Sequence, residues 1–399
     1  MTGARSFALL LVLSGGLRAD IKYMVDYLLP RGGGQGATIT VDFHGASLEN
    51  AKEIVFYEPG IEAEGFASYA KAGDGFKVKF HIAKDCRLGE HVLRVRTATA
   101  LSDAMTFWVS RWPTTFEGEA KAGENDTPAK AKAIPLNTTV EGQILPGPDA
   151  DIDVYKVDAR QGLRLSVEVE AARLGTLHFG ADIDLAVRIL DGAGKVLAKN
   201  DDSALYVQDP VVSAMIPADG TYFVEIRQQL FESKQQAWYR AHIGTFSRPT
   251  AIFPAGGQAG TTLQARVLGD PASVRTESVT LPATPGNFDY FAGDAAEKPP
   301  SPNVLRVSPY GNVIWSGAET AATLPVALNG ILEEGAAQPQ TFRFAAKKNE
   351  AWCLQVFART LGAPVDPYMT LRDAKTGRVI VDADDSRLVD LGLPSSRAN

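Results

Sequence analysis

The chain holds 399 residues, 45% hydrophobic and 22% charged, which is enough apolar material to bury several cores and too much for wholesale disorder. Its 47 acidic and 40 basic residues leave a net charge of −7 with no basic stripe, which argues against a nucleic-acid partner. The 37 glycines and 23 prolines suit many short strands and tight turns, and the length suits more than one domain.

The first residues read as an export signal. Arg5 precedes a short apolar run over 6–13, and Ala19 is a small residue at a cleavage point, so residues 1–19 are expected to leave and Asp20 to start the mature chain. A buried first strand or helix is the alternative, and Arg18 beside the cleavage point keeps it open. No stretch approaches the twenty apolar residues of a membrane span. A secreted, periplasmic or cell-surface location is therefore expected.

Residues 20–112 carry period-two runs. Phe76, Val78, Phe80 and Ile82 alternate with Lys77, Lys79 and His81, and the runs over 38–43, 91–97 and 105–109 behave likewise. Such alternation predicts half-buried strands in an antiparallel β-sandwich. Residues 113–135 are poor in core-forming side chains and read as a linker. From 136 to 246 a second set of strands follows, with Asp191, Gly192 and Gly194 supplying a hairpin turn. The glycine-rich turn at Pro30 and Gly36 returns 224 residues later at Pro254 and Gly260, opening a third unit over 247–328. Residues 329–399 then echo the second unit, Asp184, Asp201 and Asp202 reappearing as Asp366, Asp384 and Asp385, without a counterpart of its last strands. The expected fold is all-β, two kinds of sandwich alternating A-B-A-B, the last one incomplete.

The run Asp153, Tyr155, Leu163, Leu165, Asp184, Asp201, Asp202, Pro217, Gly220 and Tyr222 resembles the bacterial pre-peptidase C-terminal domain, a β-sandwich appended to secreted peptidases and other exported proteins. The A units resemble immunoglobulin-like, TIG-type modules of long secreted proteins from planctomycete-like bacteria. The resemblance implies jelly-roll-like B units, immunoglobulin-like A units and a non-catalytic role. Some relatives in secreted collagenases bind calcium. The oxygens that could do so here are those of Asp182, Asp184, Asp201, Asp202, Asp366, Asp384 and Asp385, although Asp beside Gly also serves ordinary turns. No cofactor is required by this reading.

Catalytic signatures are missing from the sequence. His44, His81, His91, His178 and His242 form no HExxH pattern, the serines sit in no GxSxG elbow, and the glycine-rich turns lack a phosphate loop's lysine. Cys86 and Cys353 fall in different units without metal or redox spacing. Trp108, Trp112, Trp238 and Tyr239 are the aromatic candidates for holding an extracellular protein or polysaccharide, with core packing as the alternative. The expectation is a non-catalytic binding or spacer protein. An accessory part of an exported peptidase and an unrecognised hydrolase stand as alternatives.

Overall fold

The computed structural model describes residues 25–384 apart from 49, 70–74, 148–149, 175–182, 207, 230–236 and 336–337, so the expected signal over 1–19 lies outside the described residues. The chain is all-β, and no α-helix occurs among the described residues.

The first sandwich contains β1 (Val25–Leu29), β2 (Gly32–Gly34), β3 (Thr38–Gly45), β4 (Ala51–Phe56), β5 (Ile61–Ser68), β6 (Gly75–Ile82), β7 (Gly89–Thr97) and β8 (Met105–Ser110). They form two four-stranded sheets, β1-β3-β6-β5 and β2-β8-β7-β4. The alternation of β6 is realised: Phe76, Val78, Phe80 and Ile82 are buried while Lys77 and Lys79 are exposed. Phe43 stacks on its cross-strand neighbour Phe76 at 4.8 Å, and Phe80 meets Phe107 of the other sheet edge-on at 5.2 Å. The glycine-rich turn lets the chain cross from one sheet to the other, β2 pairing in parallel with β8. A Cβ at Gly32 would lie 2.1 Å from the Trp108 carbonyl oxygen and 2.5 Å from the Arg240 guanidinium carbon, so only glycine fits there.

The second sandwich contains β9 (Thr114–Phe116), β10 (Lys132–Ala133), β11 (Thr138–Ile144), β12 (Ile152–Ala159), β13 (Arg164–Glu170), β14 (Leu185–Leu190), β15 (Val196–Asn200), β16 (Val211–Met215), β17 (Gly220–Gln228) and β18 (Ala237–Gly244). Its sheets run β10-β12-β17-β14-β15 and β16-β13-β18-β11-β9. Tyr222, Val224 and Ile226 of β17 face the core, and Asp191 caps the expected hairpin by accepting the N–H groups of Ala193 and Lys195, each at 2.9 Å. The segment expected to be a linker is instead part of this sandwich. β9 pairs in parallel with β11, β10 pairs in parallel with β12, and Ile134 joins the core. Its low apolar content misled because an edge strand is held by main-chain hydrogen bonds, which any sequence can make.

Beyond it, β19 (Ala251–Phe253), β20 (Gly256–Gln258), β21 (Thr262–Leu268), β22 (Arg275–Thr280), β23 (Gly286–Tyr290) and β24 (Asn303–Ser308) form two three-stranded sheets, β19-β21-β22 and β20-β24-β23. β20 pairs in parallel with β24, as β2 does with β8. The remaining described strands are β25 (Asn312–Ile314), β26 (Thr320–Ala322), β27 (Ala327–Asn329), β28 (Phe342–Phe344), β29 (Met369–Arg372) and β30 (Val379–Ala383), paired two by two. Trp352, Leu354 and Val356 are 41%, 38% and 49% exposed, whereas Leu165, Val167 and Val169 in the strand they echo are wholly buried.

β13 is buried on both faces. Leu165, Val167 and Val169 enter the core, while Arg164, Ser166, Glu168 and Glu170 look outward, against the neighbouring sandwiches. Glu168 is paired with Arg248 at 2.8 Å and Arg173 at 3.0 Å, and Arg164 reaches Asp270 at 3.1 Å. Glu170 meets Arg240 at 2.7 Å and His242 at 3.2 Å. On the first sandwich's side, the Arg31 N–H donates to Glu141, and Trp112 packs 5.2 Å from Phe246. Burial works to raise the Glu170 pKa, but His242 and Arg240 override it and hold the carboxyl down at about 2.

Removing Arg248 leaves Glu168 buried with Arg173 and the Ser301 hydroxyl, so Arg248→Met is expected to cost about 3 kcal/mol, the lower end for a broken buried pair, in a denaturant titration. A depressed carboxylate stabilises the fold above its unfolded pKa and ceases to do so as acid protonates it. The thermal midpoint should therefore fall as pH drops from 4.5 toward 2, the usual and folded values for Glu170. A flat midpoint across that window would contradict the assignment.

Candidate metal centre

Acidic residues collect where the lead-in to the second sandwich meets the start of β12. Phe116, the last residue of β9, points to solvent, so strand alternation turns Glu117 inward, and its N–H donates to the Glu141 carbonyl at 3.0 Å. Glu119 follows two residues on, and the chain then loops through Asn125 and Asp126 before returning as β10. From the other side, Asp151 and Asp153 stand at period two with Tyr155 and Val157, two core residues of β12. That places both carboxylates on the inward face at the rim of the core, with Asp153 wholly buried and Asp151 1% exposed.

Among the described residues, Glu117, Glu119 and Asp153 bring oxygens within 4.8 Å of one another, and so do Glu119, Asp126 and Asp151. Glu119 belongs to both sets. The Tyr239 hydroxyl donates to Asp153 at 2.6 Å, and the Tyr155 hydroxyl to Glu117 at 3.2 Å. Gly142 gives Glu117 room: a Cβ there would stand 2.3 Å from a Glu117 carboxylate oxygen.

These bonds leave much unsatisfied. Glu119 Oε2, Asn125 Oδ1, Asp126 Oδ1, Asp151 Oδ1 and Asp153 Oδ1 are buried without a hydrogen-bond partner. Buried acceptors of this kind are costly unless something meets them. Burial pushes the Glu117 carboxyl up to about 7 and Asp153 well above its ordinary value, the latter also because Glu117 lies close. Asp151 and Glu119 are raised by burial as well. A set of hard, converging oxygens with unspent lone pairs matches what calcium takes, six to eight oxygen ligands from carboxylates, amide and backbone carbonyls and water. The residues present fit such an ion.

The acidic residues singled out from the sequence lie elsewhere. Asp184 is raised by burial and by the nearby Asp202 and Asp201, its Oδ1 is buried without a partner, and Asp201 accepts from Gln229 at 2.7 Å. Asp366 and Asp384 are exposed in the last unit, and Asp182 and Asp385 lie outside the described residues. None of the described ones enters the two converging sets. The aromatic candidates are also displaced from solvent. Trp108 and Trp112 are 7% and 8% exposed, Trp238 lies 6.5 Å from Tyr27 of the first sandwich, and Tyr239 is wholly buried beside Asp153. They pack between sandwiches and beside the acidic centre, as the core-packing reading of these residues expects. Glu117, Glu119 and Asp126 were hidden in the supposed linker. Asp151 and Asp153 did leave a signal, two acids in phase with the apolar face of a strand.

A carboxylate whose pKa is raised in the folded state stabilises the fold below its unfolded pKa and loses that contribution as pH rises through the folded value. In chelator, the thermal midpoint is therefore expected to decline as pH rises from 4.5 to about 7, the usual and folded values for Glu117. Glu141, raised to about 7 by burial, adds with the same sign. Glu117→Gln should flatten the decline, and an unchanged slope in that variant would contradict the assignment.

The model of the bacterial pre-peptidase C-terminal domain matches residues 151–228. A probable subtilase-type serine protease of Deinococcus radiodurans is 34% identical over 102 residues, 26% of this chain and 13% of the protease, so the chain spans only a small part of that relative. Among solved structures, a mixed-linkage glucan utilisation protein of Bacteroides ovatus, SGBP-B, in complex with a heptasaccharide, is 9% identical, covering 49% of this chain and 71% of its own at a TM-score of 0.17. The secreted serine protease VesC of Vibrio cholerae is 11% identical, covering 53% and 47% at 0.18. Likenesses at these scores place no ligand on the present chain. Residues 151–228, which the model of the bacterial pre-peptidase C-terminal domain matches, form the body of the second sandwich.

Proposed function

We propose that the chain is an exported, non-catalytic array of β-sandwiches whose second member is fastened to its lead-in by calcium. The observation that carries this reading is the convergence of Glu117, Glu119, Asp126, Asp151 and Asp153, with buried oxygens unpaired on four of them. Glu117, Glu119 and Asp126 come from the segment that follows the first sandwich, Asp151 and Asp153 from the body of the second. An ion held by both groups would meet the buried oxygens that lack a partner and tie the lead-in down. The protein's own part is to hold the oxygens: Tyr239 orients Asp153, Tyr155 orients Glu117, and Gly142 leaves the space. In this role the array spaces or presents its sandwiches to an extracellular protein or polysaccharide. No helix among the described residues is long and apolar enough to cross a membrane.

A second reading, an accessory portion of an exported peptidase, is favoured by the match to the subtilase-type protease. Hydrolysis of a broad peptide panel by the purified chain would overturn both non-catalytic readings.

Isothermal titration of the chelator-treated protein with calcium chloride tests the main one. Saturable binding with a raised thermal midpoint is expected, and Asp151→Asn with Asp153→Asn should weaken it at least about tenfold, the scale at which even supporting partners of a metal site act. Absence of both heat and midpoint change at millimolar calcium would overturn the reading.

A further inference from the structure

The junction between an A unit and the B unit after it is built twice, and strand register fixes the correspondence. β2 lies beside β8 with Gly32 opposite Trp108, and β20 beside β24 with Gly256 opposite Arg306. The chain then enters the next unit as a parallel strand, Phe116 opposite Glu141 in one case and Ile314 opposite Asn329 in the other. The following N–H reaches the same carbonyl each time, Glu117 to Glu141 at 3.0 Å and Trp315 to Asn329 at 2.8 Å. A second parallel pair completes the pattern, Ala133 opposite Lys156 and Ala321 opposite Arg343.

The side chains on this common backbone differ at every position of the acidic centre. Trp315 stands in the place of Glu117 and Gly317 in that of Glu119. Counting back from Phe342, the equivalent of Tyr155, Gln338 and Gln340 replace Asp151 and Asp153. The loop that carries Asn125 and Asp126 is cut from residues 118–131 to residues 316–319. The space is also spent differently. Gly330 corresponds to Gly142, and a Cβ there would meet the Gln340 amide, which donates to the Ile331 carbonyl. The buried Arg31 and Glu141 become Ala255 and Asn329, and Asn329 donates to Asn312 at 2.9 Å, which donates to the Gly256 carbonyl at 3.1 Å.

We propose that calcium acts at the first A-B junction alone, the second being a cation-independent version of the same joint, closed by amides and by the Glu319–Arg343 ion pair at 2.9 Å. The inference rests on the calcium reading above and adds which joint responds. Loss of calcium then loosens the attachment between the first and second sandwiches and leaves the attachment of the last unit unchanged.

Hydrogen exchange of the full chain, followed by mass spectrometry in chelator and in calcium chloride, separates the outcomes. Exchange over 114–133 and 138–144 is expected to slow by up to about a hundredfold at a calcium concentration one hundred times the dissociation constant. Exchange over 312–322 and 327–331 is expected to stay the same. Calcium-dependent slowing at both junctions would overturn this inference while leaving the calcium reading intact, and slowing at neither would overturn the calcium reading itself. Asp151→Asn with Asp153→Asn gives an independent measurement: the variant should show no calcium response at residues 312–331, and any response there would likewise overturn the inference.

Discussion

A carboxylate taken out of water must be met by something positive, and the second sandwich takes carboxylates out of water at two of its corners. On the outer face of β13 the answer is supplied by the protein. Glu168 and Glu170 are enclosed by Arg248, Arg173, Arg240 and His242, and both are held below the ordinary carboxylate range despite complete burial. At the rim of β12 tyrosine hydroxyls meet the carboxylates, the Lys132 ammonium is spent on the Phe116 and Glu117 carbonyls, and Glu117 and Asp153 rise instead. The two corners belong to opposite sheets of one sandwich and differ in what answers the charge. That contrast supports the calcium proposal more than the number of acids does.

The first ion-pair system also explains how the sandwiches are joined. A strand of a two-sheet domain is ordinarily apolar on one side and wet on the other. β13 is dry on both, because the unit that follows brings Arg248, Ser301 and Asp270 against its polar side. Such a joint is demanding of geometry, since each charge depends on its partner's placement. The repeated A-B junction shows how such a joint is varied. Its parallel strand pairings are main-chain features and recur in both copies, while the buried acids laid over the first are replaced in the second by amides and an exposed Glu319–Arg343 pair. At one place cation and ring exchange sides, Arg173 lying 5.9 Å over Trp108 in the first copy and Arg306 4.6 Å over Phe357 in the second.

What the amino-acid order determines here is local and periodic. Alternation over 76–82 implied a half-buried strand, Asp191 with Gly194 implied a hairpin, and the recurrence of Pro30 and Gly36 at Pro254 and Gly260 implied a repeated unit, because the solvent contrast across a strand and the φ demands of a turn are written in neighbouring residues. Only the tertiary structure decided which polar faces are wet. Arg164, Glu168 and Glu170 have the spacing of a solvent-facing stripe and are buried, Trp108 and Trp112, which sequence left between binding and core packing, are packed away, and the supposed linker closes both sheets. Glu117 and Asp153 meet across 36 positions of chain, and nothing in the residues beside either one encodes that meeting, since it follows from the parallel register of β9 on β11 and from the packing of one sheet on the other.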